Sequence, residues 1–302
     1  MENQHRKGAL YAILTASMWG FMPIVLKIMT SELPSVTVVW FRFFMAFVVL
    51  SFWSLFFRPS DFSIFRRPPW RLIITAAFLA LNYTGFIVGV NYATPASAQI
   101  FIQIGPVGFA LSGILIFKEH VNWRHIVGFV LVLAGMLLFY SEQLSALREG
   151  ASDFRLGMLL VLGGGISWAI FATLQKTLVR HRPINQLNLF IYGFCALLVL
   201  PFTKFSSLQG LSAVNWTLLI YLGLNTVIAY GALALAMKYT EATRVSVIIT
   251  LNPILTFLSM ALLGYLEVSW IGAEFFSLPG ILGAATVLSG AVTVIYAGRR
   301  AS

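Results

Sequence analysis

Two glutamines interrupt a long apolar stretch of the sequence. Gln99 and Gln103 lie within residues 93–117, a run that contains no charged residue and is long enough to cross a membrane as a helix. Because they are four residues apart, they share one face of that helix. Each amide carries donors and acceptors that lipid cannot satisfy. The pair therefore indicates either a water-filled cavity that binds a polar ligand or hydrogen bonds between helices.

Other polar and aromatic residues are predicted at the middle of membrane spans. Trp19 and Trp168 are unusual there, because tryptophan prefers the membrane interface and its buried N–H needs a partner. Such residues line a pocket for an amphipathic ligand or pack within the helix bundle. For a pocket, the predicted substrate-binding residues are Trp19, Asn82, Tyr83, Gln99, Gln103, Trp168, Asn225, Tyr230 and Asn252.

Arg42 is the one charged residue well inside a predicted span. A charge in this position is costly and is by default a functional candidate. Arg42 and Lys27, which is predicted at a similar depth, are suited to hold a substrate carboxylate or to act as a gate. The alternatives for Arg42 are an ion pair with Glu32, or a side chain that extends outward to the aqueous interface.

Two prolines fall within predicted spans and are candidates for hinges. Pro106 and Pro253 each lack the N–H that a continuous helix would use, so they free the carbonyls of Ile102 and Ile249. These carbonyls could contact substrate, and the kinks could allow the helices to rock. A kink that only shapes packing is the alternative, since proline is common in membrane helices.

The composition indicates a membrane protein. Hydrophobic residues make up 59% of the chain and charged residues 10%, which is too apolar for a soluble domain. The predicted fold class is an all-α polytopic bundle of transmembrane helices. The ten predicted spans are 8–28, 35–56, 72–91, 95–117, 124–141, 156–178, 185–203, 214–237, 243–264 and 278–297.

The basic residues follow a membrane topology. With the N-terminus inside, fifteen lysines and arginines fall on the cytoplasmic side and four on the outer side. This is the bias expected from the positive-inside rule, so both termini are predicted to be cytoplasmic. The formal charge of +10 therefore needs no nucleic-acid partner to explain it.

The sequence lacks the motifs of an enzyme. It contains no HExxH or GxSxG motif, and its four histidines and one cysteine show no metal-ligand spacing. No cofactor or metal is therefore predicted. Because no aspartate or glutamate is predicted at mid-span, we expect transport without obligatory proton or sodium coupling.

The two halves of the chain have similar sequences. Residues 8–27 match residues 157–176 at glycine, leucine, tryptophan and lysine positions, and shorter matches follow in the same order. Each half holds five predicted spans, an odd number, so the second half (148–302) is expected to insert inverted relative to the first (1–147). Halves related in this way share a pseudo-twofold axis in the membrane plane, with the substrate site near the midplane.

The segment GPVGFALSGILIFKEHVNWRHIVGFVLVLAGMLLF, residues 105–139, resembles the drug/metabolite transporter superfamily with EamA-type repeats. It has that family's proline within a span, terminal glutamate and glycine-spaced span, at Pro106, Glu119, Gly128 and Gly135. The second copy has Pro253, Glu267, Gly283 and Gly290, with extra residues after the glutamate. The resemblance extends over nearly the whole chain and looks closest to bacterial exporters of aromatic and other amino acids.

The glutamates and glycines of these segments are predicted to be structural. Glu119 and Glu267 each follow one span and precede the next, where a carboxylate stabilises a helix N-terminus, with gating as the alternative. The glycines are seven residues apart in each copy and allow close helix contact, within a monomer or between the subunits of a homodimer.

The predicted function is that of an alternating-access carrier, which the resemblance implies. It exports small metabolites, chiefly amino acids with aromatic or apolar side chains, across the cytoplasmic membrane. Its partners are then a small-molecule substrate and the lipid bilayer. The alternatives are export of drugs or other metabolites of the same superfamily or, in a different class, a passive channel or a ligand sensor.

Overall fold

The computed structural model describes residues 2–92, 98, 101–139, 152–266 and 278–297. Within these residues the regular structure is entirely helical. The α-helices are α1 (Glu2–Glu32), α2 (Ser35–Phe57), α3 (Trp70–Tyr92), α4 (Ile104–Leu115), α5 (Trp123–Phe139), α6 (Ser152–Leu178), α7 (Ile184–Val199), α8 (Ala213–Tyr239), α9 (Ala242–Ile249), α10 (Asn252–Tyr265) and α11 (Leu278–Ala297). Short 3-10 helices cover Pro59–Phe65, Leu200–Phe202 and Phe205–Leu208.

Among the described residues, six helical stretches are long and apolar enough to cross a membrane. They are Gln4–Glu32, Ser35–Phe57, Trp70–Val90, Phe154–Leu178, Ile184–Phe202 and Ala213–Tyr239. The shorter apolar stretches, which lie within one residue of the bounds of predicted spans four, five, nine and ten, are Ile104–Leu115, Trp123–Leu138, Ala242–Thr256 and Leu278–Val294. The described helices therefore lie where spans are predicted, although these four stretches are shorter than a complete crossing.

Predicted spans four and nine are interrupted rather than continuous. Ile102 and Gln103 form a turn before α4, and a second turn separates α9 from α10. Pro106 and Pro253 lie in the first turns of α4 and α10, where a helix does not need the missing N–H. The Ile102 carbonyl, which the sequence predicts to be free, accepts a hydrogen bond from the Gly105 N–H at 2.9 Å. The prolines therefore start helices instead of bending them.

The main helix contacts join the first half of the chain to the second. α1 packs on α8, α3 on α6, α2 on α7, α4 on α9 and α5 on α11. The largest cluster of buried apolar residues draws on helices from both halves, including Met29, Phe43 and Leu79 from the first and Phe171 and Leu233 from the second. The halves therefore share one helical bundle around a common core.

The contact between α5 and α11 depends on glycine. A Cβ added to Gly135 would lie 2.7 Å from the Val287 nitrogen and 2.8 Å from the Gly283 carbonyl oxygen. A Cβ on Gly290 would lie 2.7 Å from the Gly128 carbonyl oxygen. These distances are too short for a side chain, and the neighbouring atoms belong to the backbone. Both glycine pairs therefore bring two helices of one chain together, which is the contact predicted for a monomer.

Candidate functional site

A central cavity lies among α1, α2, α3, α6 and α8, beside the interruptions that precede α4 and α10. It holds about 660 Å³ of empty space, a figure that includes open solvent at its mouth. Its lining residues are Trp19, Met22, Arg42, Asn82, Tyr83, Phe86, Ile87, Ile102, Gln103, Pro106, Trp168, Tyr230, Ile249 and Asn252. The lining is mostly apolar and aromatic, with a few polar groups placed among the rings.

Most of the predicted site residues line this cavity. They are Trp19, Asn82, Tyr83, Gln103, Trp168, Tyr230 and Asn252, together with Arg42 and Pro106. Asn225 and Pro253 are not among its lining residues, and Gln99 lies outside the described residues. Met22, Phe86 and Ile87 line the cavity without having been predicted. Their spacing is a usable signal, because they follow Trp19 or Tyr83 by three or four residues and so share a helix face with them.

Arg42 places a buried positive charge at the cavity. The residue is 2% exposed, so its side chain does not extend to the outer interface. Its Nε donates to the Thr226 hydroxyl at 3.1 Å, and its Nη2 donates to the Tyr83 hydroxyl at 3.2 Å and to the Met22 sulfur at 3.0 Å. All three partners are neutral. Among the described residues, Arg42 forms no ion pair.

The residues predicted to act with Arg42 lie elsewhere. Glu32, the predicted ion-pair partner, accepts a hydrogen bond from Asn215 Nδ2 at 3.4 Å. Lys27 is exposed and does not line the cavity. A guanidinium carries five N–H donors, and Arg42 Nη1 bonds to none of the described residues. This arrangement leaves donors for an anion that enters the cavity, and a carboxylate matches the fork geometry of arginine.

Four aromatic side chains form one wall of the cavity. The rings of Trp19 and Trp168 meet edge to face with centroids 5.9 Å apart, and the Trp19 ring lies 5.3 Å from that of Tyr230. Tyr230 lies 5.9 Å from Tyr83, and the Arg42 guanidinium lies 4.7 Å from the centroid of the Tyr83 ring. The tryptophans therefore pack against each other and line the cavity at once. Such a wall suits an apolar or aromatic ligand group beside a charged one.

The amide side chains divide between the cavity and helix packing. Asn82 Nδ2 donates to the Gly164 carbonyl at 2.9 Å, and Asn225 Nδ2 donates to the Met18 carbonyl at 2.8 Å. Each bond joins a helix of one half to the first helix of the other half. Asn82 also lines the cavity, whereas Asn225 is 1% exposed and does not. Asn225 therefore takes the packing role that the sequence leaves open as an alternative.

Gln103 links the two helix interruptions. Its Nε2 donates to Asn252 Oδ1 at 3.3 Å, so the turn before α4 is bonded to the first residue of α10. Gln103 is buried and Asn252 is half-buried, and both line the cavity. These two amides offer donors and acceptors at the same level as the broken helices, a feature typical of transporter substrate sites.

Glu119 lies at the N-terminus of α9. Its carboxylate accepts hydrogen bonds from the N–H groups of Ala242 at 2.6 Å and Thr243 at 3.0 Å, and also from the Thr243 hydroxyl. Lys176 Nζ lies 3.5 Å from the same carboxylate and donates to the Thr240 carbonyl at 2.8 Å. Glu119 therefore caps a helix, as predicted, but the helix is α9 of the second half rather than the span that follows Glu119 in the sequence, and a buried ion pair is present in addition. Glu267, its predicted counterpart, lies outside the described residues.

The described residues contain no group of three or more His, Cys, Asp or Glu side chains that could hold a metal ion. Cys195, the one cysteine in the sequence, is buried and donates to the Ala76 carbonyl at 3.2 Å. The cavity's chemistry is therefore that of one guanidinium, three amides and an aromatic wall, which can bind and orient a small molecule.

Two parts of the chain match the same family model. Residues 6–141 and residues 155–296 both match the EamA-like transporter family. The two matches together cover most of the chain, and each contains one of the two helix interruptions. The family model thus finds two copies of one unit, divided near the middle of the chain.

Relatives resemble the chain along almost its full length. A Haemophilus influenzae protein named "Uncharacterized transporter" is 32% identical over 293 residues, which cover 97% of this chain and 95% of that protein. The "Uncharacterized inner membrane transporter YhbE" of Escherichia coli K12 is 31% identical over 295 residues, 97% of this chain and 92% of that protein.

One solved structure, described as "Crystal structure of protein", matches with a TM-score of 0.76 at 18% sequence identity. It covers 98% of this chain and 99% of its own, which indicates a shared fold. The family matches, the relatives and the apolar helices point to one identity. The chain belongs to the EamA-like transporter family of the drug/metabolite transporter superfamily and is a multi-pass membrane transporter, not an enzyme.

Proposed function

We propose that this transporter is an alternating-access carrier that exports small carboxylated metabolites, chiefly amino acids with aromatic or apolar side chains. The observation that carries this proposal is the buried Arg42 guanidinium, which has only neutral partners among the described residues and lies beside an aromatic wall. A buried cation without a counter-ion favours binding of an anion. A substrate carboxylate supplies that charge.

The rest of the substrate fits the remaining lining. An apolar or aromatic side chain would lie against Trp19, Trp168 and Tyr230. The amide oxygens of Gln103 and Asn252 are acceptors for an ammonium group. A purely cationic drug is disfavoured, because the lining residues include a cation and no carboxylate. One relative, a "Probable amino-acid metabolite efflux pump" of Escherichia coli K12, is 23% identical over 94% of this chain and 93% of its own.

The two repeats, 1–147 and 148–302, are proposed to be inverted. The helix contacts support a twofold relation between the halves, because they stay the same when the halves are exchanged, and the odd number of predicted spans in each half supports the inversion. Exchanging the halves converts the contact between α1 and α8 into the contact between α6 and α3. Each of α2, α4 and α5 packs on the helix at the matching place in the other half, which is α7, α9 or α11. A pseudo-twofold axis in the membrane plane produces this pattern, and rocking about it exposes the cavity to either side in turn.

The proposed orientation places both termini in the cytoplasm. The excess of lysine and arginine on that side supports it. The Glu119–Lys176 ion pair then lies at the cytoplasmic end of the bundle, joining the segment after α4 to α6 and α9. Export would require this end to open for loading. Single cysteines introduced at the two termini are expected to react with a label only from inside the cell.

A substrate panel in proteoliposomes tests the proposed function. Phenylalanine has both groups that the cavity fits, and phenethylamine has the same ring and ammonium group without the carboxylate. We expect saturable uptake of phenylalanine and little uptake of phenethylamine. Equal transport of both would contradict the role of Arg42.

The same liposomes test ion coupling. None of the lining residues is an aspartate, glutamate or histidine that could carry a proton. An imposed pH gradient is therefore expected to leave phenylalanine at its equilibrium distribution. Accumulation above equilibrium would show that the carrier is proton-coupled.

A further inference from the structure

A second concavity lies at the end of the bundle that is proposed to be cytoplasmic. It holds about 1040 Å³ of empty space, including open solvent. Its basic and aromatic lining residues are Trp53, Arg58, Arg180, His181, Arg182 and Lys238. They come from three places in the chain: the end of α2, the turn between α6 and α7, and the last turn of α8. We call this concavity the basic groove.

The cations of the basic groove are not neutralised by the protein. Among the described residues, Arg58, Arg180, Arg182 and Lys238 form no ion pair. The nearby carboxylates have other partners, since Glu241 pairs with Arg244 at 2.6 Å, Glu119 pairs with Lys176, and Asp61 accepts a hydrogen bond from the Ser54 hydroxyl at 3.3 Å. The groove therefore presents several cations and no carboxylate among its lining residues. Its charge matches an anion with more than one acceptor oxygen.

The turn that carries two of these arginines is held in place by the backbone. The N–H groups of His181 and Arg182 both donate to the Leu178 carbonyl, at 3.0 Å and 3.1 Å. The Arg180 guanidinium also lies 5.2 Å from the centroid of the Phe117 ring. The backbone that carries Arg180 and Arg182 is therefore fixed by hydrogen bonds between two helices.

One side of the basic groove is apolar and lies beside exposed aromatic side chains. Trp53 is 51% exposed, and its neighbours Phe56 and Phe57 on the same helix are 73% and 67% exposed. Exposed aromatic side chains of this kind lie at the level of lipid headgroups. A ligand that fits both sides of the groove has an anionic phosphate and a hydrocarbon chain.

We propose that the basic groove binds the headgroup of an anionic phospholipid from the cytoplasmic leaflet. The phosphodiester contacts Arg58, Arg182 and Lys238, and an acyl chain lies along Trp53. Basic pockets between membrane helices on this side are suited to anionic lipid headgroups. The proposal is independent of the transported substrate, because the groove and the central cavity share no lining residue.

Lipid retention by the purified protein tests the proposal. The protein is delipidated in neutral detergent and titrated with phosphatidylglycerol or phosphatidylcholine, and bound lipid is counted by native mass spectrometry. The test variant is Arg58→Gln/Arg182→Gln/Lys238→Gln. Its matched control is Arg66→Gln/Arg67→Gln/Arg71→Gln, which removes three exposed charges outside the basic groove.

We expect the test variant to retain at least about fivefold less phosphatidylglycerol than wild type, and the control variant to stay within about twofold. Equal losses in both variants would show that net charge alone attracts the lipid and would overturn the proposal. Displacement of phosphatidylglycerol by glycerol 3-phosphate would also overturn it, because the site would then take a soluble phosphate. Should the triple variant unfold in phosphatidylcholine, Arg182→Gln alone gives the same comparison against Arg66→Gln.

Discussion

Arg42 is the residue on which the proposed preference for a carboxylated substrate rests. A buried charge without a counter-ion carries a desolvation penalty of several kcal/mol. Hydrogen bonds to Thr226 and Tyr83 and the face of the Tyr83 ring offset part of that penalty. An incoming carboxylate removes more of it. In the proposed function, the substrate carboxylate supplies the counter-charge that Arg42 lacks among the described residues.

Gln103 is predicted to contribute to substrate affinity. Gln103→Leu removes the bond to Asn252 and an amide at the cavity, so we expect KM for phenylalanine to rise about threefold to tenfold, as for the loss of one hydrogen bond. Concentration-dependent uptake in proteoliposomes measures this change. Asn225→Leu is the matched control, because Asn225 bonds to a helix backbone and does not line the cavity. Its KM should stay unchanged, and a similar rise in both variants would assign Gln103 to packing alone.

The sequence predicts some site residues better than others for a physical reason. Polar or aromatic residues at mid-span are conspicuous in an apolar run, so Asn82, Tyr83 and Gln103 are readily found. Whether such a residue faces a cavity or another helix depends on rotation of the helix about its axis. Asn82 and Asn225 end two similar segments, LALN (79–82) and LGLN (222–225), yet only Asn82 lines the cavity. Composition carries no information on that rotation.

The apolar runs predict where the helices lie but not where two of them are interrupted. Hydropathy places helices correctly along the chain, because each apolar stretch must satisfy its backbone in lipid. It does not reveal the turns at Ile102 and Gln103 or between α9 and α10, because the residues there remain apolar or uncharged. The prolines were informative but ambiguous. Pro106 is compatible with a kink inside a helix or with the first turn of a new one, and the structure has the second.

The Glu119–Lys176 pair is predicted to stabilise the bundle. Glu119→Ala leaves the buried ammonium of Lys176 without its anion and the first N–H groups of α9 without their acceptor. We expect the free energy of unfolding to fall by about 3–5 kcal/mol. Denaturant unfolding in detergent measures it. The double variant Glu119→Gln/Lys176→Met removes both charges and should recover much of the loss; a double variant as unstable as Glu119→Ala would contradict the ion pair's contribution.

The close packing of α5 on α11 can be tested with one glycine-to-alanine substitution. Gly135→Ala places a Cβ against backbone atoms of Val287 and Gly283, so we expect a loss of about 1–3 kcal/mol in the free energy of unfolding. Gly163→Ala on α6 is the control, because its Cβ meets no atom within 4 Å. That change should raise helix stability by about 0.5–1 kcal/mol. Equal effects of the two substitutions would show that α5 and α11 are not in close contact.

The bundle as a unit combines a symmetric set of helix contacts with an asymmetric site. The pairing of helices is unchanged when the two halves are exchanged, as duplication of one sequence would produce. The cavity lining is uneven, with ten of its residues from the first half and four from the second. Arg42 belongs to the first half. When the halves are aligned so that Trp19 matches Trp168, the residue that matches Arg42 is Ile191.

This contrast sets the limit of prediction from the sequence for the complete chain. The repeat and the membrane class follow from composition and spacing, because both are properties of long segments. In the proposed function, substrate choice rests on a few side chains such as Arg42, and no repeated pattern marks them. Arg42 stands out in the sequence only because it is charged. That it forms no ion pair with Glu32 is visible only in the structure.

Counterflow in proteoliposomes tests the central claim most directly. The claim is that the protein transports carboxylated substrates by alternating access and binds them in the cavity that Arg42 lines. Liposomes loaded with unlabelled phenylalanine should transiently accumulate labelled phenylalanine through the wild-type protein. Arg42→Gln should abolish this accumulation while its unfolding temperature stays at or above that of wild type, since it also removes an unpaired buried charge. Counterflow of equal size with Arg42→Gln, or flux through the wild-type protein that never saturates, would contradict the claim.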